Sequence, residues 1–270
     1  MNRGDAETRR EEEEDMAANR PSSARPRLRG ENDFLLWQLA DSAFPTGGFA
    51  HSAGLEAAWQ HGEVRNRAEL LSFLETNLHQ LGRAAVPFVN TAYDEPERLT
   101  ELDELCDAFL SNHVVNRASR AQGRAFLTAV ERIFLERGCP QPQHSRKKGD
   151  VKSSRAPLSV GAAAAGDSRP PFAHFAPVFG ACLRELVMPR DTTVRLFFFN
   201  HLRGVLAAAV RLNIVGPMEA QRLQHRLAPL AEEVAARSAT FTLADLAQTA
   251  PLLDLWQGAQ DRLYSRLFQS

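Results

Sequence analysis

Apolar residues recur three and four positions apart along most of the chain, and alternating β-branched runs of any length are missing. This pattern predicts an all-α fold. It reads as one helical-bundle domain over residues 31–270, with about nine or ten helices. Asn32 or Asp33 caps a first helix carrying Phe34, Leu35, Leu36, Trp37 and Leu39 and ending near Phe44. Phe49–His61 forms a second, with Gly62 just past its end. Asn66 caps a third, in which Leu70, Leu71, Phe73, Leu74, Leu78 and Leu81 recur at helical intervals up to Gly82. Pro87 opens a fourth through Tyr93, and Glu97–Leu110 reads as a fifth. Asn112–Arg137 is the clearest amphipathic helix: Val114, Val115, Ala118, Gln122, Phe126, Ala129 and Ile133 share one side, and Arg117, Arg120 and Arg124 line another. Helix resumes over Phe172–Met188. Arg190–Val215 is apolar around much of its circumference and is predicted to be central. Pro217 starts the next helix, to about Arg237, and Pro251 starts the last.

Two stretches break the pattern. Residues 1–30 mix charge blocks with prolines and serines and carry almost no apolar side chains, so they are expected to be a disordered tail. Residues 138–171 crowd prolines, glycines, serines, an alanine run and Arg146-Lys147-Lys148, as expected of a mobile insertion. Its Gly149–Ser154 segment, GDVKSS, lacks the first glycine and the Gly-Lys-Ser/Thr core of a phosphate loop.

Between the first two helices lies Asp41–Glu56, DSAFPTGGFAHSAGLE. Pro45 pushes Phe44 out of helical geometry, and Gly47-Gly48 allow a tight turn. Gly54 is read as lying inside the second helix. Glycine costs about 1 kcal/mol there relative to alanine, so a close backbone neighbour is expected.

Charge and composition narrow the chemistry. A net charge of −1 supplies no global field for nucleic acid or an anionic membrane. Three well-separated cysteines suggest neither a disulfide framework nor a zinc knuckle. No secretory segment or run of about 18 apolar residues occurs, so a cytoplasmic protein is expected. The eight histidines never stand three or four apart, the spacing that would turn two toward one metal, and none of the common catalytic motifs is present. The expectation is a non-enzyme without a stably bound metal.

The end of the chain is unusual. Leu263, Tyr264, Leu267 and Phe268 place large apolar groups within the last eight residues, where chains ordinarily fray. They either pack back on their own subunit or dock on a partner. Arg262 and Arg266, four apart, can face one acceptor surface. The Arg117, Arg120 and Arg124 ridge is either a solvated face or a partner or phosphate contact.

Pro45, Gly47, Gly48, Phe49, Ser52, Gly54, Leu55 and Glu56 together resemble the signature of the urease accessory protein F family. Further blocks follow in the family's order: Asn116-Arg117-x-Ser119-x-x-Gln122-Gly123, His174-x-x-Pro177-x-x-Gly180, Ala208–Leu212 with Gln221-Arg222-Leu223, and Tyr264-Ser265-Arg266-Leu267-Phe268. There are departures. His51 stands where the family usually has tyrosine, Ile214–Met218 replaces a Leu-Gly-Gln turn, and Gln260 stands where a histidine commonly precedes the tail motif.

The resemblance implies an all-helical homodimer that binds a urease-docking accessory protein, largely through its C-terminal tail. The pair recruits a nickel-carrying GTPase, and GTP hydrolysis releases nickel into apo-urease. Nickel would then be a transient cargo. The partner-binding residues implied are Pro45, Gly47, Gly48, Phe49, His51 and Glu56, together with Arg262, Tyr264, Ser265, Arg266, Leu267 and Phe268. Arg117, Arg120 and Arg124 are candidates for GTPase contact. The family's tail arginine meets the tyrosine of the glycine motif, so Arg266 is expected to approach His51. Recruitment is then expected to weaken as His51 protonates within about pH 5.5–7.5. Alternatives are a general helical adaptor with no urease role, a GTPase-activating protein supplying an arginine, and an enzyme with scattered catalytic residues.

Overall fold

A computed structural model describes residues 31–135 and 173–270. The expectations for residues 1–30, for Cys139 and for all of 138–171 lie outside these. Residues 1–38 and 39–270 separate as two units, of which the second carries the fold. Among the described residues there are α-helices and short 3₁₀ or π turns, with no strand.

The helices are α1 (Glu31–Ala40), α2 (Leu55–Gln60), α3 (Arg67–Ala84), α4 (Val86–Asp94), α5 (Leu99–Phe109), α6 (His113–Val130), α7 (Phe175–Glu185), α8 (Arg190–Arg211), α9 (Pro217–Ser238) and α10 (Pro251–Ala259). Their starts follow local chemistry. The Asn66 side chain accepts from the amides of Ala68 and Glu69 at the head of α3. Pro87, Pro217 and Pro251 occupy the first turns of α4, α9 and α10, where no amide partner is lost. Helix α1 stops at Ala40, four residues before the expected end. Its last carbonyls accept from α8 side chains, Leu39 from Asn200 and Ala40 from Arg203.

Helix α8 is central as expected, burying Val194, Leu196, Phe197, Phe198, Leu202, Val205 and Leu206 among others. Phe197 joins Phe126, Phe175 and Phe179 in an aromatic cluster with centroids 5.1–5.7 Å apart. Two glycines let backbones meet around it. A Cβ on Gly180 of α7 would lie 2.2 Å from the Val89 carbonyl oxygen of α4, and one on Gly123 of α6 would lie 1.9 Å from that of Ala173. These are the glycines of two sequence blocks quoted above, and close helix approach is their physical reason.

The same blocks supply a buried polar node that fixes the start of α7. His174 is fully buried; its Nδ1 lies 3.1 Å from Ser119 Oγ and its Nε2 3.2 Å from Asp107 Oδ1. Its amide donates to Asp103 Oδ1 at 2.5 Å, and the Phe175 amide donates to Ser119 Oγ. Asn116 donates to Asp107 and to the Leu110 carbonyl. Burial raises the Asp103 carboxyl to about 6 and lowers the His174 imidazole, while the Asn116 hydrogen bond holds Asp107 low. Free thiols Cys106 and Cys182 are buried.

Candidate functional site: the tail and the glycine bend

The stretch after α1 does not form one helix from Phe49 to His61. Gly48–Ala50 is a single 3₁₀ turn, His51 is extended, and α2 begins only at Leu55. The reason lies at Ala53 and Gly54, whose φ angles of 53° and 85° are left-handed. Gly54 therefore sits ahead of the helix, not inside it. The expected close backbone neighbour is also present, since a Cβ there would lie 3.2 Å from the Gln257 amide nitrogen of α10, and 2.9 Å from the same residue's Cγ. Gly47 likewise takes φ 69°, and Gly62 closes α2 at φ 78°.

The extended segment is where the tail returns. Gln269 donates its amide to the Ala50 carbonyl at 2.8 Å, and Ser52 donates to the Ser270 carbonyl at 2.5 Å. Beneath them Glu56 is 1% exposed. Its Oε1 accepts from the Leu267 amide at 2.6 Å; its Oε2 accepts from the Phe268 amide at 3.1 Å and from Gln260 Nε2 at 2.5 Å. Both lone-pair faces of a buried carboxylate are thus filled by the tail's main chain and one amide side chain. Gln60 adds a bond to the Ser265 carbonyl at 2.9 Å. Phe268 is buried under the Arg211 guanidinium, 4.2 Å from its ring centroid, and Arg211 also donates to the Phe49 carbonyl.

The tail resolves its two readings by splitting them. Its main chain and Phe268 pack on their own subunit. Tyr264 is wholly exposed and Leu267 half exposed. Phe49 is 73% exposed on the bend, Pro45 is exposed, and Arg262 faces solvent.

Arg266 does not take His51 as its partner. It donates to Asp261 Oδ1 at 2.9 Å, five residues back. Asp261 also accepts two bonds from Arg117, at 2.8 and 3.0 Å, and lies 3.1 Å from His113 Nε2. The Arg117 bonds hold the Asp261 carboxyl at about 2. A local acid wins because it satisfies Arg266 without crossing to the bend. His51 Nδ1 instead stands 2.5 Å from Ser270 Oγ. Burial first, and then the Arg117 charge, push its imidazole down to about 4. The arginine acting on His51 is therefore Arg117, and the histidine stays neutral across the pH range in which protonation was expected.

Of the arginine ridge, Arg117 pairs with Asp261, Arg120 lies 3.5 Å from Asp107, and Arg124 is exposed. Asn112 sets the position of this ridge against the tail. It caps α6 by accepting from the Val114 amide, donates to the Asp254 carbonyl at 2.7 Å, and lies against Gly258 of α10. Asp261, Gln260, Arg211 and Asn112 were not singled out as site residues. Two of them had a signal: Arg211 by its place in the Ala208–Leu212 block, and Gln260 by standing where a histidine commonly precedes the tail motif.

Among the described residues no group of three or more His, Cys, Asp or Glu side chains could hold a metal ion, and no helix is long and apolar enough to cross a membrane. Fold and site together define an all-helical protein that presents a self-latched C-terminal tail over a glycine bend. Comparison with known proteins gives the family. The UreF family model matches residues 64–228. Urease accessory protein F of Arabidopsis thaliana is 39% identical over 236 residues, covering 87% of this chain and 91% of the relative. Urease accessory protein F of Oryza sativa subsp. indica is 38% identical over 234 residues, 86% and 83% of the two chains. Urease accessory protein UreF of Mesorhizobium japonicum is 31% identical over 234 residues, 84% and 92%. The chain belongs to the urease accessory protein F family.

Proposed function

We propose that this protein is a non-enzymatic scaffold for urease maturation. With a second accessory protein that docks on urease, it recruits a nickel-carrying GTPase for GTP-dependent nickel insertion into apo-urease. Nickel passes as cargo and is not held in a cage. The observation that carries this reading is the tail: Glu56 fixes its main chain while Tyr264 and Leu267 stay uncovered, as does Phe49 on the bend. Exposed aromatic and arginine side chains on a rigid support have the composition of binding anchors. In this reading the bend residues Pro45, Gly47, Gly48 and His51 seat the tail, while Arg262, Ser265 and Arg266 complete the surface. The working unit is a homodimer in the cytoplasm. Catalysis of GTP hydrolysis by a finger arginine is less well supported, because Arg117 and Arg120 are already held by Asp261 and Asp107.

Affinity capture from an extract, with the full chain and with a chain lacking Leu263–Ser270, tests the proposal. The full chain should retain a urease-docking accessory protein and, through it, a GTPase. The shortened chain, folded by its circular dichroism, should lose both. Retention by both chains would overturn the role given to the tail.

A further inference from the structure

Asp261 is crowded by cations. Its Oδ1 accepts from Arg117 Nη2 at 2.8 Å and from Arg266 Nη1 at 2.9 Å. Its Oδ2 accepts from Arg117 Nη1 at 3.0 Å and lies 3.1 Å from His113 Nε2. One carboxylate thus serves two guanidinium groups, and positive charge is left over. Arg262, the next residue, and Arg124, two turns beyond Arg117 on α6, are exposed and pair with no carboxylate among the described residues. The chain as a whole carries −1, so this excess is local.

The pairs are open to exchange. Of the Arg117 and Arg266 side chains 51% and 45% stay accessible, against 27% for Asp261. Exposed ion pairs of this kind add little to stability, because water and salt compete for each charge. Arg117 meets Asp261 with a two-pronged fork, the geometry it would offer any carboxylate. The support is firm: Glu56 holds the Leu267 and Phe268 amides just beyond Arg266.

We propose that the Arg117–Arg266 cluster receives an acidic segment of the protein partner that the tail engages, and that Asp261 is an internal stand-in displaced by that segment's carboxylates. This rests on the docking reading of the tail and adds the chemistry of the partner. Tyr264 and Leu267, exposed in the same stretch as Arg266, complete the mixture of aromatic and arginine anchors that protein partners use. A nucleic acid would need a longer basic track and would meet a chain without net positive charge. The stand-in makes a distinctive demand. Asp261 repels the incoming carboxylates and competes with them for both arginines, so removing its charge should strengthen docking. Loss of a merely structural ion pair would weaken docking or leave it unchanged.

Fluorescence anisotropy of the full chain with labelled hexaglutamate reads the cluster directly. The parent should bind saturably at about 50 mM salt and at least about fivefold more weakly at about 300 mM. Asp261→Asn, which keeps an acceptor oxygen, should bind about tenfold more tightly. Arg117→Gln and Arg266→Gln should each bind about five- to tenfold more weakly while the Leu267 and Phe268 amides keep their parent exchange rates. Affinity capture from an extract reads the partner: Asp261→Asn should retain more of the urease-docking accessory protein than the parent, and the arginine variants less. Equal capture of that protein by the parent and both arginine variants would overturn this inference and leave the tail reading in place. No capture by the parent would overturn the tail reading, and this inference with it. Weaker hexaglutamate binding by Asp261→Asn, or six-nucleotide oligo-dT bound by the parent as tightly as the peptide, would overturn it as well.

Discussion

Replacing Glu56 by glutamine tests the latch. The substitution keeps size and shape but turns one of two acceptor oxygens into a donor. That NH₂ must face either the Leu267 amide or the pair formed by the Phe268 amide and Gln260 Nε2, all of them donors. The better placement loses one bond at 2.6 Å and weakens the others by removing the charge. Hydrogen bonds to an ionised group contribute about 1.5–3 kcal/mol each, so the latch should lose about 2–3 kcal/mol. Nothing else in the bundle leans on this carboxylate, so the loss should stay local. Native-state hydrogen exchange reads it directly. The Leu267 and Phe268 amides should exchange on the order of 30- to 150-fold faster, and trypsin should cut sooner after Arg262 and Arg266. Amides of Leu74 and Leu78 in the core of α3 should keep their parent rates. Exchange at 267 and 268 within threefold of the parent would refute the carboxylate as the clamp. An equal acceleration in α3 would refute the claim that the tail opens alone.

Three further outcomes follow from the same geometry. His51 and His201 both have native values near 4, below the unfolded 6.5, so the unfolded chain binds more protons between those limits; stability should be complete above pH 6.5 and fall by up to about 3 kcal/mol per histidine as pH drops toward 4. Asp103, raised to about 6, has the opposite sign: its contribution is full below pH 3.8 and fades as pH rises through 6, so urea melts at pH 4.5 and 7 should show a steeper acid loss in Asp103→Asn and a shallower one in His51→Gln. Gly180→Ala drives a methyl group into the Val89 carbonyl and should destabilise by about 3 kcal/mol or more, seen as a lower urea midpoint at unchanged slope. Asn66→Ala removes the α3 cap and should lower stability by about 1 kcal/mol in the same assay, with tail exchange unaltered.

Most helices were legible because their boundaries are written locally. Asn66 caps, and Pro87, Pro217 and Pro251 open helices, without reference to anything distant. The misreading at 49–54 has a local face too. An unbranched, helix-compatible string hid a left-handed pair at Ala53 and Gly54, and only contact with Gln257 and the returning tail makes that pair favourable. Glu56 could be named from its motif, but its three donors stand more than 200 positions away. Arg266 was assigned to His51 by family analogy. The nearer carboxylate of Asp261 takes it, and no periodicity marks Asp261 as the point where α6 and the tail meet.

Glu56 grips peptide nitrogens, which every residue except proline offers alike. Clamp and message are thereby uncoupled: what is displayed at positions 264 and 267 can drift toward a new recipient while the fastening beneath stays as it is. Proline at 267 or 268 is the change such drift could not pass through.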